Sequence, residues 1–198
     1  MLRGLVYKRN MLTIQTVIYA SFLFFLSEFV LLVVKRSGKG RTKTKGDRKS
    51  LVLLWITIVF GITAGFFLAN WQEWSALNAV IALLGLLLFV AGMVVRWVSI
   101  IQLNKEFTVD VAILDHHHLK TEGMYKYLRH PSYLGLVLVC LGLAIAMNSM
   151  VSLVVVTIPV VLALNYRMKT EEDVLMRQFG AAYQEYRKRT DKIIPKIY

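Results

Sequence analysis

The chain has 198 residues, is 57% hydrophobic and carries a formal net charge of +12. Soluble domains lie nearer roughly 45–50% apolar, and here the apolar residues come in long blocks that a soluble core would not need. The basic residues cluster between those blocks, a pattern of cytoplasmic loops and anionic-lipid contact that argues against nucleic acid as the partner.

A bilayer core about 30 Å thick needs around 20 apolar residues of helix. Residues 11–34 meet this, with Glu28, next to Ser27, as the one charged residue in the stretch. The block is too long for the apolar region of a signal peptide and no small-residue cleavage pattern follows it. Glu28 either faces the helix bundle or sits near the end of the span. The next stretch, 35–50, holds eight cationic residues against one Asp and reads as a solvated loop. Residues 51–70 form a second span, and WQEW at 71–74 supplies two Trp residues for an interfacial belt. The third span is 77–101, with Arg96 about one turn from its end, its charge snorkelling or facing the bundle interior.

From 102 to 129 the sequence turns polar and mixed. Two shorter apolar runs, 132–147 and 150–166, follow, separated only by Asn148 and Ser149. The break predicts a tight helical hairpin over 131–166. Runs this short lie at the lower limit for crossing a bilayer, so protein or a thinned membrane is expected to shelter them. Pro159 predicts a kink in the last run. The remaining tail, 169–198, carries Leu175, Phe179, Tyr183 and Tyr186 at helical spacing. It predicts an amphipathic helix that opens on Glu171, Glu172 and Asp173 and closes near Arg187, Lys188 and Arg189. Cys140, the one cysteine, lies inside an apolar run, so no disulfide framework or cysteine-rich metal site is available. The fold class expected is an all-α integral membrane protein of about five spans. Its organisation divides into an N-terminal part, 1–101, and a polar-site half, 102–198.

The basic loop, the 102–130 segment and the tail fall on one side of such a bundle. They hold most of the Lys and Arg, whereas the connections at 71–76 and 148–149 hold none. This asymmetry predicts a cytoplasmic C-terminus and an outside N-terminus. It also collects the polar residues at one end of the hairpin: Arg129 and His130 at the foot of one helix, Arg167 and Glu171 at the foot of the next. Taken singly, each has an ordinary explanation. Arginines fix topology, Pro131 suits the first position of a helix, and tyrosines belong at interfaces.

The joint pattern goes further. His118, Leu119, Gly123, Tyr125, Arg129, His130, Pro131, Tyr133 and Gly135 resemble the isoprenylcysteine carboxyl methyltransferase family. NKEFTVDVAI at 104–113, the Arg167–Glu171–Glu172 pattern, and Phe179, Gly180, Tyr183 and Tyr186 extend the resemblance over about residues 100–196. Related phospholipid methyltransferases and sterol-type reductases carry strings like R-H-P.

The resemblance implies an integral membrane enzyme that uses S-adenosyl-L-methionine in a cytoplasmic pocket, with a lipophilic or prenylated acceptor arriving from the bilayer. It implies cofactor contacts from His118, Leu119, Gly123, Tyr125, Arg129, His130, Pro131, Tyr133, Glu171 and Glu172, with Arg167, Glu171 and His130 in catalytic roles. Arg167 would orient an anionic acceptor and Glu171 would hold the cofactor ammonium. The start of the helix after Pro131 would offer its N–H groups to the cofactor carboxylate. Methyl esterification of an isoprenylcysteine is the activity most like the family's. O-methylation of a phenolic or pyrone lipid and phospholipid N-methylation are its alternatives, and a reductase or a non-catalytic membrane protein are alternatives of another class. No nucleic-acid partner is expected. No metal is expected either, because the consecutive His116, His117 and His118 lack a ligating spacing.

Overall fold

The computed structural model describes residues 2–34, 42–43, 45–71, 79–103, 112–113 and 119–194, with side chains over 15–33, 49–69, 80–103 and 119–194. Six α-helices account for most of it: α1 (Leu2–Val34), α2 (Lys45–Trp71), α3 (Ala79–Leu103), α4 (Pro131–Ala146), α5 (Met150–Phe179) and α6 (Ala181–Arg189). A 3-10 turn, Gly123–Lys126, leads into α4. A two-residue antiparallel ladder pairs Thr42–Lys43 with Ala112–Ile113. The predicted loop 35–50 and span boundaries shift accordingly: α2 already begins at Lys45, and α1 begins well before residue 11.

Among the described residues, four helices are long and apolar enough to cross a membrane, over Gln15–Val33, Lys49–Ala69, Val80–Leu103 and Met150–Phe179. Their outer faces are bare hydrocarbon, with Phe22, Phe60 and Leu162 each about two-thirds exposed, as lipid contact requires. At 16 residues, α4 is only about 24 Å long and falls short of a bilayer core. It is sheltered instead, because most of its residues are buried between α3 and α5, including Leu136, Val139 and Leu143. The protein is an integral membrane helical bundle.

Lipid tails are as apolar as leucine, so helices in a bilayer associate by close packing more than by escaping water. The α3–α4 pair shows how. A Cβ on Gly142 would lie 2.5 Å from the backbone nitrogen of Phe89, and one on Gly85 would lie 2.5 Å from that of Ala146. Neither site has room for a side chain. α2 and α5 are tied by Ser152 Oγ, which donates to the Gly65 carbonyl at 2.6 Å. Phe24, Ile58, Phe89, Val156, Val160 and Leu164 complete one core shared by α1 to α5.

The hairpin forms where predicted. Asn148 takes a left-handed φ of 57° and Ser149 caps α5, its Oγ accepting from Ser152 N. The tail departs from expectation. Glu171, Glu172 and Asp173 do not open a new helix but lie deep within α5, which runs uninterrupted through Pro159 and Tyr166 to Phe179. Nothing between Tyr166 and Glu171 breaks a helix. Gly180 does, at a φ of 50° that side chains rarely adopt. α6 then turns back, and residues 190–192 run parallel to 127–130. α5 thereby carries Arg167, Glu171 and Glu172 on one rigid rod.

Candidate functional site

The polar residues converge at the foot of α4. Its first turn is fixed from two directions. Pro131 occupies the first helical position, and the N–H groups of Tyr133 and Leu134 both donate to the His130 carbonyl. The amides of Arg129 and His130 donate to the carbonyls of Asp191 and Lys192, at 2.8 and 3.0 Å. These amides already have protein acceptors, so the expected donation to a cofactor carboxylate from this turn loses most of its donors.

Three charged or aromatic chains then meet α5. Arg129 Nε donates to Glu172 Oε1 at 2.8 Å, and His130 Nε2 lies 3.2 Å from the same oxygen. Tyr133 Oη donates to Glu171 Oε2 at 2.8 Å and accepts from Arg167 Nε at 3.4 Å. His130 Nδ1 is 3.9 Å from Glu171 Oε2, and its ring stacks on that of Tyr133 with centroids 5.5 Å apart. The hydroxyl of Tyr133 thus stands between the guanidinium and the carboxylate. Glu171 remains partly open to solvent, and its Oε1 has no partner among the described residues.

Other predicted residues lie further out. Tyr125 is buried, its hydroxyl 3.4 Å from the Ser99 carbonyl and its own carbonyl accepting from Tyr186 Oη at 2.7 Å. Gly123, at a φ of 63°, presses against Gln102, whose Oε1 accepts from Met124 N at 2.8 Å. Leu119 is half-buried before that turn. His118, with His116 and His117, lies outside the described residues, as does most of 104–113. Arg129 is more heavily tied than its predicted cofactor role suggests. Besides Glu172, it donates from Nη1 to the carbonyls of Thr190 and Arg187.

Three residues to which the sequence reading gives no site role complete the site. Ser50, fully buried at the foot of α2, accepts from Arg167 Nη1 at 2.9 Å. Thr190 anchors the returning tail. Tyr183 is 1% exposed, and among the described residues its hydroxyl has no hydrogen-bond partner. Burial, reinforced by the negative charges of Glu172 and Glu171, pushes the Tyr183 phenol well above its ordinary range. Burial does the same to Tyr125, with Glu171 adding to it. Tyr186 is pushed up to about 12 by burial, against the opposing charge of Arg129. All three phenols therefore keep their protons at neutral pH.

The isoprenylcysteine carboxyl methyltransferase family model matches residues 83–177, a stretch that contains α4, the 3-10 turn and all but the last residues of α5. The chain is similar to this family over that stretch. It is 26% identical over 188 residues to protein-S-isoprenylcysteine O-methyltransferase B of Arabidopsis thaliana, covering 92% of this chain and 93% of that protein. It is 30% identical over 138 residues to the Dictyostelium discoideum protein-S-isoprenylcysteine O-methyltransferase, covering 67% and 58%. The fold is similar to the solved eukaryotic intramembrane Ras methyltransferase ICMT, with a TM-score of 0.71 over 95% of this chain and 68% of that one, at 23% identity. The family's span thus coincides with the half that carries the Arg167–Tyr133–Glu171 arrangement.

Proposed function

We propose that this chain is a membrane methyltransferase that esterifies the carboxylate of a prenylated cysteine, with S-adenosylmethionine as methyl donor. The observation that carries the reading is the line Arg167–Tyr133–Glu171 at the foot of the α4–α5 hairpin: a cation for an acceptor carboxylate and an anion for a donor ammonium, separated by one hydroxyl. The charge asymmetry of the connections supports a cytoplasmic site and C-terminus, with the N-terminus outside. The charged donor then reaches the site from water while the prenyl chain stays in lipid.

The residues present suit the cofactor. Glu171 Oε1 has an open acceptor position, and the buried Tyr183 hydroxyl lacks a partner among the described residues. Glu171 would hold the ammonium, with Tyr183 a further donor to the polar end. Bound there, S-adenosylmethionine supplies a methyl group on a positive sulfur, and its transfer to oxygen leaves a neutral thioether. Arg167 orients the acceptor carboxylate through its guanidinium fork. Tyr133 holds the fork's aim and keeps Arg167 from collapsing onto Glu171. A carboxylate is already ionised at neutral pH, so the protein's task is to align reactants and exclude water. A phenolic acceptor would need a base. His130 is badly placed for that work, with Nε2 engaged by Glu172 and its ring stacked on Tyr133.

The test uses the detergent-solubilised full chain. S-adenosylmethionine and its demethylated product should raise the melting temperature, and NADPH should not. Methyl-labelled cofactor with N-acetyl farnesylcysteine should yield label that mild alkali releases as methanol. Alkali-stable label, or no thermal response to either adenosyl compound, would overturn the reading.

A further inference from the structure

A second buried polar group lies outside this site. Glu28 of α1 and Arg96 of α3 pair inside the apolar slab, with side-chain exposures of 4% and 7%. Arg96 forks onto the carboxylate through Nε to Oε1 and through Nη2 to Oε2, the latter at 2.6 Å. Its remaining nitrogen, Nη1, donates to the Ser132 carbonyl at 3.3 Å. Ser132 belongs to the first turn of α4, between His130 and Tyr133. The backbones touch just beyond, since a Cβ on Gly135 would lie 2.6 Å from Arg96 N.

Apolar residues would join three helices at least as well as a buried ion pair, which stabilises little after desolvation. Ionisable groups at bilayer depth are costly and are kept for specific work. The work is visible in the third contact. A guanidinium locked to Glu28 by two bonds has one direction left for Nη1, and that direction fixes the depth and rotation of the α4 first turn. We propose that Glu28–Arg96 is a positioning pair for the methyl-transfer site. Through Ser132 it aims Tyr133 Oη at Arg167 and Glu171, and His130 at Glu172. The inference rests on the preceding reading for what the site does. Which segment the pair holds follows from the geometry alone.

Arg96→Lys keeps the charge but loses the fork, because an ammonium cannot hold both carboxylate oxygens and the Ser132 carbonyl in one plane. Amide hydrogen exchange over residues 131–135 should quicken at least tenfold, with 150–164 unchanged. kcat should fall at least tenfold while the acceptor KM stays within twofold. The neutral double variant Glu28→Gln, Arg96→Gln leaves no unpaired buried charge, so its melting temperature should recover while kcat stays low. Wild-type exchange at 131–135 in Arg96→Lys, a uniform quickening across the whole chain, or wild-type kcat in the double variant would each overturn the proposal. Should the wild-type chain transfer no methyl group, the functional reading falls, and the exchange pattern still decides the role of the pair.

Discussion

Arg167 Nη1 donates to Ser50 Oγ at 2.9 Å, joining α5 to the foot of α2 across 117 residues of sequence. Both side chains are buried, so the serine hydroxyl is an orienting contact shielded from bulk solvent. Ser50→Ala leaves a guanidinium N–H without this acceptor, at a cost of about 1–3 kcal/mol. Turnover should fall about tenfold in kcat/KM, and Ser50→Thr, which keeps the hydroxyl, should restore most of it. Steady-state kinetics with a prenylcysteine acceptor checks this.

Arg167→Ala goes further. It removes the cation proposed to meet the acceptor carboxylate while leaving Glu171 and Tyr183 in place. Turnover should drop by about a thousandfold, the scale of losing a charge-assisted contact made to the reacting group. Calorimetric binding of the demethylated cofactor should change by less than about fivefold. Loss of both together would move Arg167 into the cofactor site.

Tyr133→Phe isolates the hydroxyl from the ring. The ring stack on His130 survives, but Arg167 and Glu171 lose the atom that stands between them. Removing one hydrogen-bonding group that serves two charged partners costs about 1.5–3 kcal/mol, so kcat should fall roughly ten- to hundredfold. The melting temperature should change by only a few degrees. A variant that turns over normally would leave Tyr133 as packing.

These residues were unequally legible in the sequence. Arg129, His130, Tyr133, Arg167 and Glu171 could be placed together because a two-residue break, Asn148–Ser149, forces antiparallel neighbours. Their convergence needs only helix length and the hairpin. Glu172, read from sequence as part of a helix start and as a cofactor contact, lies within α5 and anchors Arg129 and His130, because acidic residues favour a helix N-terminus but do not create one. The break falls at Gly180, inside the single helix that the spacing of Phe179 and Tyr183 predicts. Ser50 gave no signal at all. It closes a run of basic residues, and its pairing depends on the helix register of α2 against α5. The sequence leaves Glu28 facing the bundle or near the end of its span and Arg96 snorkelling or facing the interior, and no local pattern links residues 68 apart.

Gly142 tests the packing apart from the chemistry. A methyl group there would meet the Phe89 backbone nitrogen at 2.5 Å, with the Gly85 carbonyl at 2.6 Å on the same side. Backbone cannot swing away as a side chain can. Overpacking costs typically about 1–3 kcal/mol, and Gly142→Ala should lower the thermal midpoint in detergent by several degrees. The fraction that remains folded should keep its kcat, because the substitution lies more than two turns of α4 away from Tyr133.

The returning tail makes a pH prediction whose sign follows from Tyr186. Its hydroxyl donates to the Tyr125 carbonyl at 2.7 Å, and Thr190 Oγ1 donates back to the Tyr186 carbonyl at 2.7 Å. Burial pushes the Tyr186 phenol up to about 12 from an ordinary 10.0, opposed by Arg129. A raised value means that the folded state holds a proton which the unfolded chain has already released. The stabilisation is therefore complete below pH 10, declines as pH rises from 10 to 12, and is gone above the folded value. Tyr125 and Tyr183 shift in the same direction, so the three phenols act together. Tyrosinate absorbance should show these groups ionising late, in step with faster amide exchange at Arg129 and His130, whose N–H groups are held by the tail. Tyr186→Phe should abolish that high-pH step for its own phenol and loosen the tail at neutral pH as well. Amide exchange at 129–130 that stays unchanged up to pH 12 would show that the tail is held by its backbone pairing with 127–130 alone.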